Sequence, residues 1–180
     1  MASLKQIHSA VVLVAAQSGC AGDGDALVTD RVGLPISVRT ADCYPVLLAD
    51  ERNRAVAAVH AGWRGTAAQI VPRTLEEMQI RFGTEAADVY AAIGPGIGGC
   101  CYEVGEEVAL QFGLKKAGRI NLAQMNHRQL VALGVPEAHI DILGGCTKCD
   151  SHLFHSFRRD RDRAGRMVSY MGIESHFGGL

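Results

Sequence analysis

Short apolar runs rich in valine, isoleucine, leucine and alanine recur along the chain, parted by clusters of glycine, aspartate and asparagine. Runs of this length, bounded by turn residues, read as buried strands. They predict strands at Val11–Val14, Ala26–Thr29, Pro35–Val38, Tyr44–Leu48, Ala55–Val59, Val89–Ile93, Ile140–Leu143 and Arg166–Met171. Gly19–Asp25 reads as a Gly/Asp turn region, and the polar stretch Asp50-Glu51-Arg52-Asn53-Arg54 as the turn of a hairpin. Three longer segments read as helices. Thr66–Phe82 carries Leu75, Met78 and Phe82 on one stripe, with Pro72 in its first turn or at a kink. Tyr102–Phe112 has acidic residues in its early turns. Asn121–Leu133 is stopped by Gly134 and Pro136. Strands and helices interleave irregularly, without repeat or linker. The expected fold is α+β, mixed β-sheets flanked by helices in a single compact domain.

Composition narrows the class. A chain of 180 residues buries roughly 70% of its unfolded surface. Hydrophobic residues make up 48% and charged residues 21%, which suits a packed core. A net charge of −1 argues against broad electrostatic binding of nucleic acid or an anionic membrane. No apolar run approaches the ~20 residues that span a bilayer. Lys5 followed by Ala10–Ala16 and a small-residue stretch ending at Cys20 mimics a weak signal peptide, but the run is short and a β-strand is the better reading. Six cysteines in a chain of this size fit reduced thiols, and hence the cytoplasm, better than a disulfide framework.

The sharpest chemistry lies in Thr40-Ala41-Asp42-Cys43-Tyr44-Pro45 and Val59-His60-Ala61-Gly62-Trp63-Arg64-Gly65. Cys43 falls at the start of one predicted strand and His60 at the end of the next, so a hairpin brings thiol and imidazole together. Both are good zinc or copper ligands. A metal needs at least one more protein ligand, and His8, ahead of the Val11–Val14 strand, can supply it. Three protein ligands leave a fourth tetrahedral place for water or substrate, the pattern of a catalytic site. Cys146, Cys149, His152 and His155 form a rival cluster. On a helix its ends would lie roughly 13.5 Å apart along the axis, so only an irregular loop lets them share an ion. The Cys-Thr-Lys-Cys piece also matches a redox pattern without the usual βαβ context. Gly94-Pro95-Gly96-Ile97-Gly98-Gly99 contains G-x-G-x-x-G, but with no acidic residue ending a second strand it reads as a tight structural loop or a small-anion nest. Trp63 and Arg64 suit either a stacked base and an anion or a core contact and an ion pair. Phe157–Arg163 alternates charge and reads as a solvated segment.

Taken together these segments resemble the YfiH family, the multicopper polyphenol oxidase (laccase-like) family now regarded as zinc-dependent purine nucleoside enzymes. The matching motifs are Gln6-Ile7-His8, Gly24-Asp25-Ala26-Leu27, Thr40 to Leu47, Val59 to Gly65, Ile93 to Gly98, Tyr102-Glu103-Val104-Gly105, and the ending from Cys146-Thr147 through Phe154, Arg158-Arg159-Asp160 and Gly165-Arg166-Met167. The resemblance implies a CNF1/YfiH-like fold with His8, Cys43 and His60 as metal ligands. It also implies phosphorolysis of adenosine, inosine, guanosine and methylthioadenosine, and deamination of adenosine. Members carry a longer segment ahead of the Gln-x-His motif, with a Thr-Arg-x-Gly-Gly type loop near the active site. This chain is therefore expected to be a single YfiH-like domain, residues 1–180, lacking the usual N-terminal segment. The family's usual glycine after His8 is Ser9 here, and Asn121 stands where aspartate is frequent.

These readings set the expected mechanism. Zinc on His8, Cys43 and His60 lowers the pKa of a water for attack on C6 of adenine, with Asp42, beside a ligand, moving the proton. In phosphorolysis, inorganic phosphate is the co-substrate and attacks C1′ of the sugar, positioned by Arg64, with Arg39 as a second candidate. The expected partners are small purine nucleosides, with no nucleic acid and no membrane, acting on a monomer or small homo-oligomer. Three alternatives stay open: a copper (Cu²⁺) phenol oxidase, a thiol hydrolase with Cys43 as nucleophile and His60 as base, and a non-catalytic interaction domain.

Overall fold

The computed structural model of the chain describes residues 1–174, so the last six positions of the expected domain lie outside the described residues. At its centre is a six-stranded mixed sheet in the spatial order β11 (Ile140–Ile142), β8 (Val89–Ile93), β6 (Tyr44–Asp50), β7 (Ala55–Ala61), β4 (Ala26–Thr29) and β2 (Val12–Val14). The two outer pairs are parallel and the inner ones antiparallel. A second sheet runs β12 (Met167–Met171), β5 (Ile36–Thr40), β1 (Ala2–Lys5) and β3 (Gly19–Asp23). A small ribbon pairs β9 (Glu103–Val104) with β10 (Gly118–Arg119).

Strand periodicity divides the core in two. Successive side chains point to opposite faces, so Ala55, Ala57, Val59 and Ala61 of β7 join the larger cluster, while Val56 and Ala58 join the smaller. The larger cluster packs the central sheet against α2 (Ile70–Phe82) and α4 (Leu122–Ala132). The smaller one packs its other face on the four-stranded sheet through Leu4, Leu27, Ile36 and Val38. With both faces covered, every residue of β7 is buried, which is why this segment reads as a continuous apolar run rather than an alternation.

Several boundaries differ from those expected, each for a local reason. The helix predicted from Thr66 is two helices, α1 (Trp63–Ala67) and α2, parted by Gln69 in the left-handed conformation at φ 63°. In one continuous helix the ring of Pro72 would clash with the carbonyl of Ala68, whereas restarting at Ile70 puts it in the first turn. The helix expected over Tyr102–Phe112 shrinks to α3 (Glu106–Leu110), because Gly105 is an extended N-cap and the residues before it pair in the ribbon. Gly19–Asp23 is a strand rather than a turn. It is a mostly exposed edge strand held by parallel pairing to β1, so no apolar alternation marks it. β1 itself and the short helix α5 (Phe157–Asp160) gave no periodic signal either. Among the described residues no helix is long and apolar enough to cross a membrane.

Leu48, fully buried in β6, tests this layering. Leu48→Ala should cost about 2–5 kcal/mol in urea unfolding, whereas Ile80→Ala, 68% exposed on α2, should change stability by no more than about 0.5 kcal/mol.

Candidate functional site

The β6–β7 hairpin performs the juxtaposition expected of it: Pro45 pairs with His60 and Tyr44 with Ala61, so Cys43 enters β6 beside the residue where β7 ends. His8 arrives from the loop after β1. Its imidazole meets that of His60 edge to face, with ring centroids 4.9 Å apart and planes at 81°. The ligand atoms of His8, Cys43 and His60 all lie within 4.8 Å of one another. Gly62 makes room for them, since a Cβ there would sit 2.9 Å from Cys43 Sγ and 3.5 Å from His8 Cδ2.

One carboxylate organises this cluster. Asp25 is fully buried just before β4. Its oxygens accept hydrogen bonds from the backbone N–H groups of Ile7 (3.3 Å), His8 (3.0 Å) and Ser9 (2.6 Å) and from the Ser9 hydroxyl (2.7 Å). Asp25 Oδ1 also lies 2.7 Å from His60 Nδ1, and its backbone carbonyl accepts from His60 N at 2.7 Å. These bonds hold His8 at φ 59°, a left-handed conformation that costs a non-glycine residue free energy. In the neutral ring, an Nδ1–H directed at the carboxylate leaves Nε2 as the lone-pair nitrogen of His60, the arrangement by which ligating histidines are oriented. Asp25 belongs to Gly24-Asp25-Ala26-Leu27, a segment that carries the family resemblance without pointing to this role. A lone aspartate ahead of a strand carries no sequence mark of its burial.

Charge within the cluster is mutually supported. Burial pushes the Asp25 carboxyl up, but its hydrogen bonds to His60 and Ser9 prevail and lower it to about 2. Burial likewise raises the Cys43 thiol, yet His60 and His8 beside it bring it down to about 7. Burial lowers His60, and the hydrogen bonds to Asp25 and Cys43 overcome this and raise it to about 9. The thiolate so favoured is the form that binds a metal and the form that acts as a nucleophile. One thiolate and two imidazoles are the donor set of a three-ligand zinc site, so the residues fit the expected ion.

The cluster lines a cleft of about 1010 Å³ together with Trp63, Tyr102 and Phe157 and with Lys5, Arg39, Arg158, Arg161 and Arg166. Asp42 lines it too, at φ 86°. Both its carboxylate oxygens are engaged, by the Thr147 hydroxyl (2.7 Å) and the Arg158 N–H (2.6 Å). The Arg64 guanidinium lies 4.4 Å above the ring of Trp63, itself a lining residue, while Arg39 lines the cleft directly. Phe157–Arg163 is not simply solvated. The Arg159 guanidinium donates to the carbonyls of Thr147 (2.7 Å) and Phe154 (2.9 Å), so this segment braces one wall of the cleft. The rival cluster does not form. Cys146 and Cys149 gather with Cys100 and Cys101 instead, and the His155 ring packs on Gly165. The glycine loop is a close-approach device, because a Cβ at Gly94 or Gly96 would meet Pro45 or the Tyr44 ring at 2.7 Å.

Residues 1–174 match the family described as multi-copper polyphenol oxidoreductase laccase, and the chain belongs to that family. A purine nucleoside phosphorylase of Deinococcus radiodurans is 42% identical over 183 residues, an alignment covering 96% of this chain and 70% of that protein. Adenosine deaminase RL5, from an unknown prokaryotic organism, is 40% identical over 165 residues, 83% of this chain and 61% of that protein. The crystal structure of Bacillus licheniformis YfiH superimposes with a TM-score of 0.88 at 32% identity, covering 94% of this chain and 73% of that one.

Two substitutions test the cluster. Asp25→Asn turns an acceptor into a donor facing other donors and should weaken zinc binding by about 10–100-fold in a chelator competition. Gly62→Ala should lower zinc occupancy while leaving the far-ultraviolet circular dichroism spectrum unchanged.

Proposed function

We propose that the chain is a zinc-dependent purine nucleoside enzyme that phosphorolyses adenosine, inosine, guanosine and methylthioadenosine and deaminates adenosine. One observation carries this reading: three metal-ligand atoms within 4.8 Å of one another share a cleft with five basic side chains, Lys5, Arg39, Arg158, Arg161 and Arg166, and one carboxylate, Asp42. His8, Cys43 and His60 would hold the ion. When bound, zinc supplies a Lewis acid and brings the pKa of a water toward neutrality.

The chain's own groups do the rest. Asp25 fixes the tautomer of His60 and the place of His8. Trp63, Tyr102 and Phe157 offer aromatic walls to a purine. The basic side chains suit inorganic phosphate. In phosphorolysis a phosphate oxygen bonds to C1′ as the C1′–N9 bond breaks and the base leaves. Arg39 is assigned the phosphate contact through its forked donors. In deamination water replaces the C6 amino group, which leaves as ammonia. Asp42 is assigned the proton, being the carboxylate that adjoins Cys43 and lines the cleft. The names of the Deinococcus phosphorylase and of deaminase RL5 support both reactions.

Zinc is preferred to copper because a multicopper centre needs more imidazoles than His8 and His60, the two that cluster among the described residues. Metal analysis after expression without added copper separates the two. The low Cys43 pKa also suits a thiol hydrolase. Iodoacetamide labelling of Cys43 without metal, but not with it, favours zinc.

Adenosine supplied to the metal-loaded protein should give adenine and ribose 1-phosphate with phosphate present, and inosine without it. Absence of all three products overturns the proposal. Cys43→Ala should lose the ion held with His8 and His60, and with it the products. Arg39→Ala removes a charge-assisted contact worth about 1.5–3 kcal/mol and should raise the KM for phosphate roughly ten- to hundredfold, leaving phosphate-free deamination unaltered.

A further inference from the structure

Apart from the His8–Cys43–His60 cluster, four thiols converge. The Sγ atoms of Cys100, Cys101, Cys146 and Cys149 all lie within 4.8 Å of one another. Cys149 Sγ is 3.3 Å from Cys101 Sγ and 3.9 Å from Cys100 Sγ. Sulfurs bonded to one zinc at ~2.3 Å in a tetrahedron stand roughly 3.8 Å apart, whereas a disulfide needs ~2.05 Å. The spacing is that of ligands around a common centre, and all six cysteines of the chain are free.

The scaffold around the four sulfurs is built from two turns laid side by side. Cys101 N and Tyr102 N both donate to Gly98 O at 2.9 Å, closing the first turn. Asp150 N donates to Cys146 O at 2.9 Å, and Cys146 N to Asp150 Oδ2 at 3.0 Å, closing the second. A parallel bridge between Gly96 and Cys146 joins them, reinforced by Thr147 N donating to Gly96 O at 3.0 Å. Gly98 N points at Cys146 Sγ, 3.2 Å away. Such an N–H stabilises negative charge on a ligating sulfur.

We propose that Cys100, Cys101, Cys146 and Cys149 hold a second zinc ion in a closed, structural tetrathiolate site. Four protein sulfurs fill a tetrahedron and leave no place for substrate, which is the mark of a structural centre. A soft, all-thiolate set selects zinc over the harder divalent ions. The ion staples the loop carrying Ile97 to the loop carrying Thr147. Ile97 N donates to Asp42 O at 2.8 Å, and the Thr147 hydroxyl holds the Asp42 carboxylate. The second site thereby fixes one wall of the cleft without entering it. This inference stands on the cysteine geometry and is independent of the nucleoside reading.

Metal content of the full chain, expressed with zinc and without added copper, tests it. Wild type should carry about two zinc ions per chain, and Cys43→Ala and Cys149→Ser about one each. Cys149→Ser should also lower Tm. Zinc X-ray absorption on Cys43→Ala, which leaves the four cysteines untouched, should show a shell of sulfur at about 2.3 Å without imidazole scattering. A single zinc in wild type that vanishes in Cys43→Ala overturns the proposal. So does iron in place of zinc, or a Cys101–Cys149 disulfide found by mass spectrometry in freshly purified protein.

Discussion

The carboxylate of Asp25 is the point on which the site depends. It is buried, it has no Lys or Arg partner among the described residues, and it is satisfied by three backbone amides, one hydroxyl and one imidazole. A buried charge is tolerable only when it is hydrogen-bonded in this way. The same bonds that satisfy it draw the loop after β1 onto the end of β7. His8 and His60 are 52 positions apart in the chain, and one oxygen, Oδ1, takes hydrogen bonds from both residues. Ser9 stands where the resemblance implies glycine; its backbone N–H bond is one that glycine would also make, and its hydroxyl adds one more to the clamp.

Much of the fold was legible because the central strands are apolar runs bounded by turn residues. β4 and β8 lie at the predicted limits, and the hairpin that presents Cys43 and His60 follows from two strands and one polar turn. What escaped notice lacked an apolar signature. β3 and the ribbon are held by backbone pairing, and α5 by a Ser156 cap and the bonds of Arg159. The break between α1 and α2 was foreshadowed by Pro72, but its place, at Gln69, depends on where α1 packs.

The site was legible in the same uneven way. Residues of distinctive chemistry, a cysteine and two histidines, could be grouped by strand ends. The carboxylate that aligns them could not, since nothing in the string marks an aspartate that folding will bury. Arg64 shows another limit: its type suits an anion, but its stacking on the adjacent indole is a geometry that the sequence leaves as one of two readings. The four cysteines show the limit most clearly. Spacing associates Cys146 with Cys149 and with the histidines that follow, whereas the Gly96–Cys146 bridge brings in a pair from the neighbouring loop.

Because His8, Cys43 and His60 are gathered from three separate stretches of backbone, the unfolded chain offers an ion no comparable cage. On the proposed zinc reading, occupancy and folding are one linked equilibrium: each tenfold rise of free zinc above its dissociation constant adds about 1.4 kcal/mol to the native state. The availability of the ion in its surroundings would then set how long the polypeptide persists as well as how fast it works.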